Sequence, residues 1–377
     1  MELFQSSNIN FLIGAGASMP LLNILGPVEG LLTEIANSSV DSNSLKIVEV
    51  SILKYYFDNS ILNNSEVFTE NKTKKAEETL NSYRDFFKTI KQLLILRSVS
   101  LLHKKVNLFT TNMDILMEKS LEDLNFEYID GFAGRILPKL SLSNYNKTVS
   151  KLSSHYDKVS EIPMANLYKI HGSINWKKNP DSIVYDQNFE NLRRLSEISF
   201  SESELLNPLN DDKFKDIEVL LQEASNIGFS KKHVEFDDLY KKFQFINPTK
   251  KKFEETTLNY TYYEMLRMLS NALEKENSVL YVTGFSFADE HLKEIIVRSL
   301  NSNPTLQICV LPFNEEAKAD IENNLGIDSL KLVNNNLRYI NHIRNTDEEL
   351  VNYDLNGVTQ EYFLKILNSV LKDDRGN

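Results

Sequence analysis

Five short stretches of this 377-residue sequence place small, amide, carboxylate and imidazole side chains where they serve chemistry. The first is INFLIGAGASMP, Ile9 to Pro20. Gly14 and Gly16 have no Cβ, so backbone that follows an apolar run can come close to an anion such as a phosphate, with Ala15 and Ser18 completing the turn. A helix starting at Ser18 or Pro20 would add its free amides. The turn fits two readings equally: a phosphate cradle, or a tight bend packed with small residues. Met19 stands where a dinucleotide fingerprint has its third glycine, and no Gly-Lys-Ser/Thr follows as in a Walker loop.

The second stretch, NLFTTNMDIL, brings Thr110, Thr111, Asn112 and Asp114 to the end of another apolar run. Asn112 both donates and accepts, whereas an ionised Asp114 only accepts. Capping of a helix starting at Ile115 explains one of them but not both. In NLYKIHGSINW, His171 stands beside Gly172 at a third run's end, and histidine is a usable proton acceptor near neutral pH. The other histidines, His103, His155, His233, His291 and His342, read as structural, and Trp176 as core. YVTGFSFADEHL offers Gly284 and Ser286 to a phosphate or ribose, with Asp289 capping the next helix. Asn314 in VLPFNEE is a further candidate for a ribose hydroxyl.

These groups need a scaffold that aligns strand ends. Apolar or alternating runs predict strands at Asn8–Ile13, Val106–Thr110, Phe126–Ile129, Leu167–Ile170, Val279–Gly284, Leu306–Leu311 and Leu337–Ile340. Helical periodicity predicts helices over Lys75–His103, Tyr260–Lys275 and Glu348–Leu371. Alternation of the two implies an α/β fold, a Rossmann-like parallel sheet flanked by helices. The polar stretch Lys177–Glu255 reads as a helical insertion, with Val219, Leu220, Leu221, Phe243 and Phe245 available to pack on the main body or another subunit. The expected organisation is a nucleotide-binding catalytic domain over 1–176 and 256–345, the insertion over 177–255, and a C-terminal helix over 346–377.

With 42 basic and 53 acidic residues the net charge is −11, which argues against a surface that binds nucleic acid. The one cysteine, Cys309, allows neither an internal disulfide nor a cysteine-based zinc site. No signal-peptide pattern and no membrane-spanning run is present, so the expectation is a cytoplasmic protein without a membrane role.

GAGAS, TTNMD, HGS and GFS, in that order and each at a strand end, resemble the sirtuin pattern of a GAG-x-S turn, a T-x-N-x-D segment, an HG pair and a later G-x-S turn. The resemblance covers residues 1–176 and 278–340. The protein-deacylating sirtuins carry a zinc ribbon held by four cysteines, which this chain cannot build, and MPLLNILGPVEG replaces their proline-phenylalanine-arginine segment. The chain is more similar to the sirtuin-like NAD hydrolases of bacterial anti-phage defence, in particular the stand-alone subunit that assembles with a HerA-type ATPase. That resemblance implies cleavage of the nicotinamide–ribose bond of NAD, with NAD as substrate and no metal. It also implies NAD depletion in abortive infection and control by homo-oligomerisation or the ATPase. Asn112 and His171 are then the catalytic pair. Gly14, Ala15, Gly16 and Ser18 hold the pyrophosphate, Asp114 fixes the nicotinamide carboxamide, Thr111 also binds the dinucleotide, Gly284 and Ser286 flank the adenosine half, and Asn314 meets its ribose. The alternatives are an NAD-dependent protein deacylase and a non-catalytic module that senses NAD or ADP-ribose.

Overall fold

All seven apolar runs become strands of one sheet: β1 (Asn8–Ile13), β2 (Lys105–Thr110), β3 (Glu127–Ile129), β4 (Met164–Lys169), β5 (Ser278–Thr283), β6 (Gln307–Leu311) and β7 (Leu337–Tyr339). The structure is a computed structural model and describes residues 2–22, 26–37, 42–97, 101–155, 157–180, 182–211, 213–246, 256–326, 332–344 and 350–375. Across the sheet the order is β7-β6-β5-β1-β2-β4-β3, and every pairing is parallel. Strands covered by helices on both faces must be apolar on both. β4 and β5 are buried at every residue, and the polar Asn166 and Lys169 of β4 donate hydrogen bonds within the fold.

The two faces carry separate cores. Ile9, Phe11 and Ile13 join helices Gly26–Asn37, Asn43–Tyr56, Lys74–Ile95 and Leu116–Asp123 on one side. Leu12 joins Thr256–Glu274, Glu290–Ser302 and Glu315–Leu325 on the other. Asn10, two residues before Leu12, shares that second face with Asn107 and Asn166, which are its register partners in turn. Asn107 Nδ2 donates to Asn10 Oδ1 at 2.8 Å and Asn166 Nδ2 to Asn107 Oδ1 at 3.0 Å. This ladder gives the Asn10 and Asn107 amide oxygens donors inside the sheet, while Asn166 Oδ1 has none among the described residues.

From β1 the chain builds β2, β3 and β4 on one side; β5, β6 and β7 follow on the other. The direction of winding therefore reverses at β1, and ligand crevices in such sheets open outside the carboxyl ends of the strands at that point.

Some expected boundaries move. The predicted helix over Lys75–His103 runs from Lys74 to Ile95. Arg97 then turns back, donating to the carbonyls of Ser7 and His103, and steers the chain into β2. The C-terminal helical region begins at Leu355, where Asp354 caps it through the Gly357 amide, not at Glu348; positions 345–349 lie outside the described residues. No long helix starts at Ser18 or Pro20. A short 3-10 turn spans Ala15–Ser18, Met19 returns to extended backbone, and the next helix is Gly26–Asn37.

The stretch after Lys177 carries helices Glu190–Ser196, Ile217–Ala224 and Lys231–Tyr240. It also carries strands of a five-stranded sheet whose members include Gly172–Asn179, Ser182–Tyr185 and Phe243–Phe245. The boundary expected at 176/177 thus falls inside a strand. Leu220, Phe243 and Phe245 are buried in the first core and Leu221 packs against it, whereas Val219 is exposed. The C-terminal segment shares that core too, through Phe363, Leu367 and Val370.

Candidate functional site

Parallel pairing brings the carboxyl ends of β1, β2, β4, β5 and β6 to one edge, and each sequence stretch singled out above leaves from that edge. The turns after β1 and β5 fit together without side chains. A Cβ on Gly14 would lie 2.4 Å from Gly284 O, one on Gly16 3.0 Å from Gly284 Cα, and one on Gly284 2.5 Å from Ala17 N. Gly284 also has φ +63°, a conformation that only glycine adopts without strain. The Gly14 amide donates to Thr283 O and the Gly16 amide to Gly284 O, both at 3.0 Å. These two amides therefore bind the sheet's own backbone. The three glycines serve as a close-packed joint at the switch point, the packing reading of the turn.

Between β1 and β2 lies a buried polar network. Ser18 Oγ donates to Asp114 Oδ2 at 2.7 Å. Asn112 Nδ2 donates to Ser18 Oγ at 3.0 Å and to Gly14 O at 3.1 Å. The Tyr83 hydroxyl, from helix Lys74–Ile95, stands 2.9 Å from Ser18 Oγ. Ser18 has a single proton, which the carboxylate takes, so Tyr83 donates. Burial first, then the Asp114 charge, hold the Tyr83 phenol well above its ordinary range, so it keeps that proton. Asp114 Oδ1 accepts from the Leu116 amide at 3.0 Å, an Asx turn just ahead of helix Leu116–Asp123, whose N-cap position is Ile115, while Oδ2 anchors Ser18. Thr110 pins the same corner: its hydroxyl donates to Ile13 O at 2.7 Å and accepts from the Asn112 amide at 3.0 Å.

One atom of this network is left over. Asn112 is 6% exposed, and its Oδ1 is buried with no hydrogen-bond partner among the described residues. The amide cannot turn to relieve this, because a flipped Oδ1 would face Gly14 O, which only accepts. A buried acceptor of this kind is costly unless something donates to it.

The segment after β4 is stitched to the same corner. Ile174 N and Ser173 Oγ both donate to Met113 O, each at 3.1 Å. Gly172, at φ +79°, brings the chain against Gln244 O, which a Cβ would meet at 2.1 Å. His171 Nε2 lies 3.2 Å from Asp289 Oδ2, a contact of charge and distance without hydrogen-bond geometry, and its ring packs 5.8 Å from that of buried Tyr262. Beneath, the buried Lys169 ammonium donates to Asp114 O and lies 3.2 Å from Glu118 Oε1. Burial raises the Glu118 carboxyl above its ordinary range, and Lys169 pulls it back only in part.

On the adenosine side expected from the sequence, Ser286 is exposed and its carbonyl accepts from Asn324 Nδ2 at 2.8 Å. Asn314 caps helix Glu315–Leu325, with Oδ1 accepting from the Ala317 amide at 2.8 Å. Asp289 caps helix Glu290–Ser302 as expected. Thr111 is half-buried and Ala15 exposed on the same edge.

Sequence reasoning missed Tyr83, which reads as one more apolar position of its helix. It also missed Lys169, whose signal is a charge inside the apolar run NLYKI. Such a charge requires a buried partner. Among the described residues, no group of three His, Cys, Asp or Glu side chains is disposed to hold a metal, and no helix is long and apolar enough to cross a membrane.

Comparison with known proteins matches residues 106–330, more than half of the chain, to the family model of the SIR2-like domain. The match opens in β2, so it takes in Asn112, Asp114, His171, Gly284, Asp289 and Asn314 but not the Gly14 turn. A portal protein of human herpesvirus 7 (strain JI) is similar at 22% identity over 196 residues. That stretch is 48% of this chain and 31% of the portal protein, so the chain spans about a third of that relative's length.

Proposed function

The chain belongs to the family of SIR2-like domains, and from that premise we propose that it hydrolyses NAD at the nicotinamide–ribose bond, releasing nicotinamide and ADP-ribose. The observation that carries this reading is the buried, unpaired Asn112 Oδ1 at the switch-point edge, next to the segment that presents His171. A ribose hydroxyl or a water held by it would donate to Oδ1. Nicotinamide leaves with the electron pair of the broken bond and becomes neutral, while positive charge develops on the ribose as in glycoside cleavage. Water adds to that carbon and gives its proton to His171, a step that contributes about 10²–10⁴-fold.

In this reading Asp114 and Thr111 bound the nicotinamide side. Gly14, Ala15 and Gly16 form the floor under the pyrophosphate. Ser18 acts through Asn112 and not on the phosphate, because its oxygen already has three partners. Gly284, Ser286 and Asn314 border the adenosine half. No metal takes part. The single cysteine favours hydrolysis over protein deacylation.

Unchecked NAD loss would harm the host cell, so the proposal includes control by homo-oligomerisation or by a HerA-type ATPase, and a cytoplasmic role in anti-phage defence by NAD depletion. The outer face of the 177–255 insertion, where Val219 is exposed, is the contact surface put forward. The test is incubation of purified protein with NAD, alone and with the candidate ATPase, followed by chromatography of products. Nicotinamide and ADP-ribose are expected. His171→Ala and Asn112→Ala should fold and release no nicotinamide; full activity in both removes the proposal.

A further inference from the structure

The contact between His171 and Asp289 is longer-range than it looks. β4 and β5 are not neighbours, since β2 and β1 lie between them. Three inter-strand spacings of about 4.8 Å, or roughly 14 Å, separate their ends. The side chains nevertheless meet at 3.2 Å, with exposures of 15% and 8%. The segments that carry them therefore reach toward each other across the carboxyl ends of β1 and β2.

Asp289 divides its oxygens between two tasks. Oδ1 accepts from the His291 and Leu292 amides, both at 3.1 Å, and that alone completes the helix cap. Oδ2 is turned to the imidazole. A cap needs one oxygen, which an asparagine or serine supplies equally well. The charge on Asp289 is therefore surplus to capping. It is also felt by buried Tyr262, whose phenol is pushed up first by burial and next by that carboxylate.

We infer that Asp289 is a positioning residue for His171. Its charge, 3.2 Å from Nε2, favours the tautomer protonated there, which puts the lone pair of the neutral ring on Nδ1. The inference rests on the NAD-hydrolase reading and deepens it. When water adds to the ribose carbon, its proton passes to Nδ1 while the Nε2 proton stays on the ring. Asp289 remains an anion facing the imidazolium. A carboxylate beside an imidazolium stabilises its charge without itself taking a proton.

Asp289→Asn keeps the capping oxygen and removes the charge. In the full chain it should lower kcat for NAD at least tenfold, leave KM within threefold and leave the melting temperature unchanged. Asp289→Ser, another capping residue, should behave alike and serves if the first variant folds poorly. Added to His171→Ala, either should have no further effect. A role in capping alone predicts wild-type kcat in Asp289→Asn. That result, or a rise in kcat, overturns the inference while an inactive His171→Ala leaves the hydrolase reading standing. Full activity of His171→Ala removes the reading itself. A readout independent of turnover is the nitrogen spectrum of His171 in histidine-labelled protein. The Nε2–H tautomer is expected in the wild type and a mixture in Asp289→Asn; an Nδ1–H tautomer in the wild type overturns the inference.

Discussion

Ser18 Oγ donates to Asp114 Oδ2 at 2.7 Å, a bond that ties the turn after β1 to the turn after β2. Its direction decides the rest of the network. With its proton committed, Ser18 only accepts from Tyr83 and Asn112, and the Asn112 amide is held with Oδ1 turned away from both Ser18 and Gly14. The acceptor on which the proposed chemistry depends is thus oriented by a hydroxyl that touches no substrate.

Ser18→Ala should therefore be costly in two ways. It leaves the Tyr83 hydroxyl and one Asp114 oxygen buried without their partner, at about 1–3 kcal/mol each, and it removes one of the two acceptors that hold the Asn112 amide, leaving Gly14 O alone. Tyr83→Phe removes a donor and leaves the other bonds in place, so about 1 kcal/mol is expected. Guanidinium unfolding of the two variants should show the serine change to be the larger. Nicotinamide release should fall more in Ser18→Ala than its loss of folded protein explains.

The joint between Gly14, Gly16 and Gly284 makes a prediction with an internal control. Gly284→Ala meets Ala17 N at 2.5 Å and takes on a positive φ. The backbone conformation alone costs roughly 1–2 kcal/mol, and the overlap must be relieved by moving β1 against β5. Gly30, inside helix Gly26–Asn37, has nothing within 4 Å of an added Cβ. Gly30→Ala should stabilise by about 0.4–1 kcal/mol. Thermal melts should move in opposite directions; a neutral Gly284→Ala would show that the turns do not interlock.

What was legible in the sequence follows the same physics. The strands of the parallel sheet are largely buried on both faces, so they stand out as mainly apolar runs, and their ends fall within a residue or two of expectation except at β4, which starts earlier, at Met164. The second sheet was not legible because most of its strands are short and its longest, Gly172–Asn179, breaks the apolar pattern with Lys177 and Lys178 after a buried first part. The candidate site was legible as types of residue at strand ends. Its connections were not. Nothing local to Asp289 shows that its second oxygen crosses two strands to reach His171, and nothing in the apolar stripe of Lys74–Ile95 marks Tyr83 as a hydrogen-bond donor.

Lys169 and Glu118 form a buried ion pair, exposed by 2% and 7%, directly under Asp114. Removing one member strands the other, so Lys169→Met should cost about 3–5 kcal/mol at neutral pH. The pH dependence has a definite sign. Burial raises the Glu118 carboxyl above its ordinary value of 4.5, with Lys169 opposing. A raised carboxyl holds its proton more tightly folded than unfolded, so its ionisation weakens the fold as pH rises above 4.5 and does so fully above the folded value. Without Lys169 that value rises further. The deficit of Lys169→Met relative to wild type should therefore widen between about pH 4.5 and pH 7.5, and adding Glu118→Gln should remove most of the widening. Melting curves across that range provide the measurement, and a deficit that stays constant with pH would mean that the lysine acts through the Asp114 carbonyl alone.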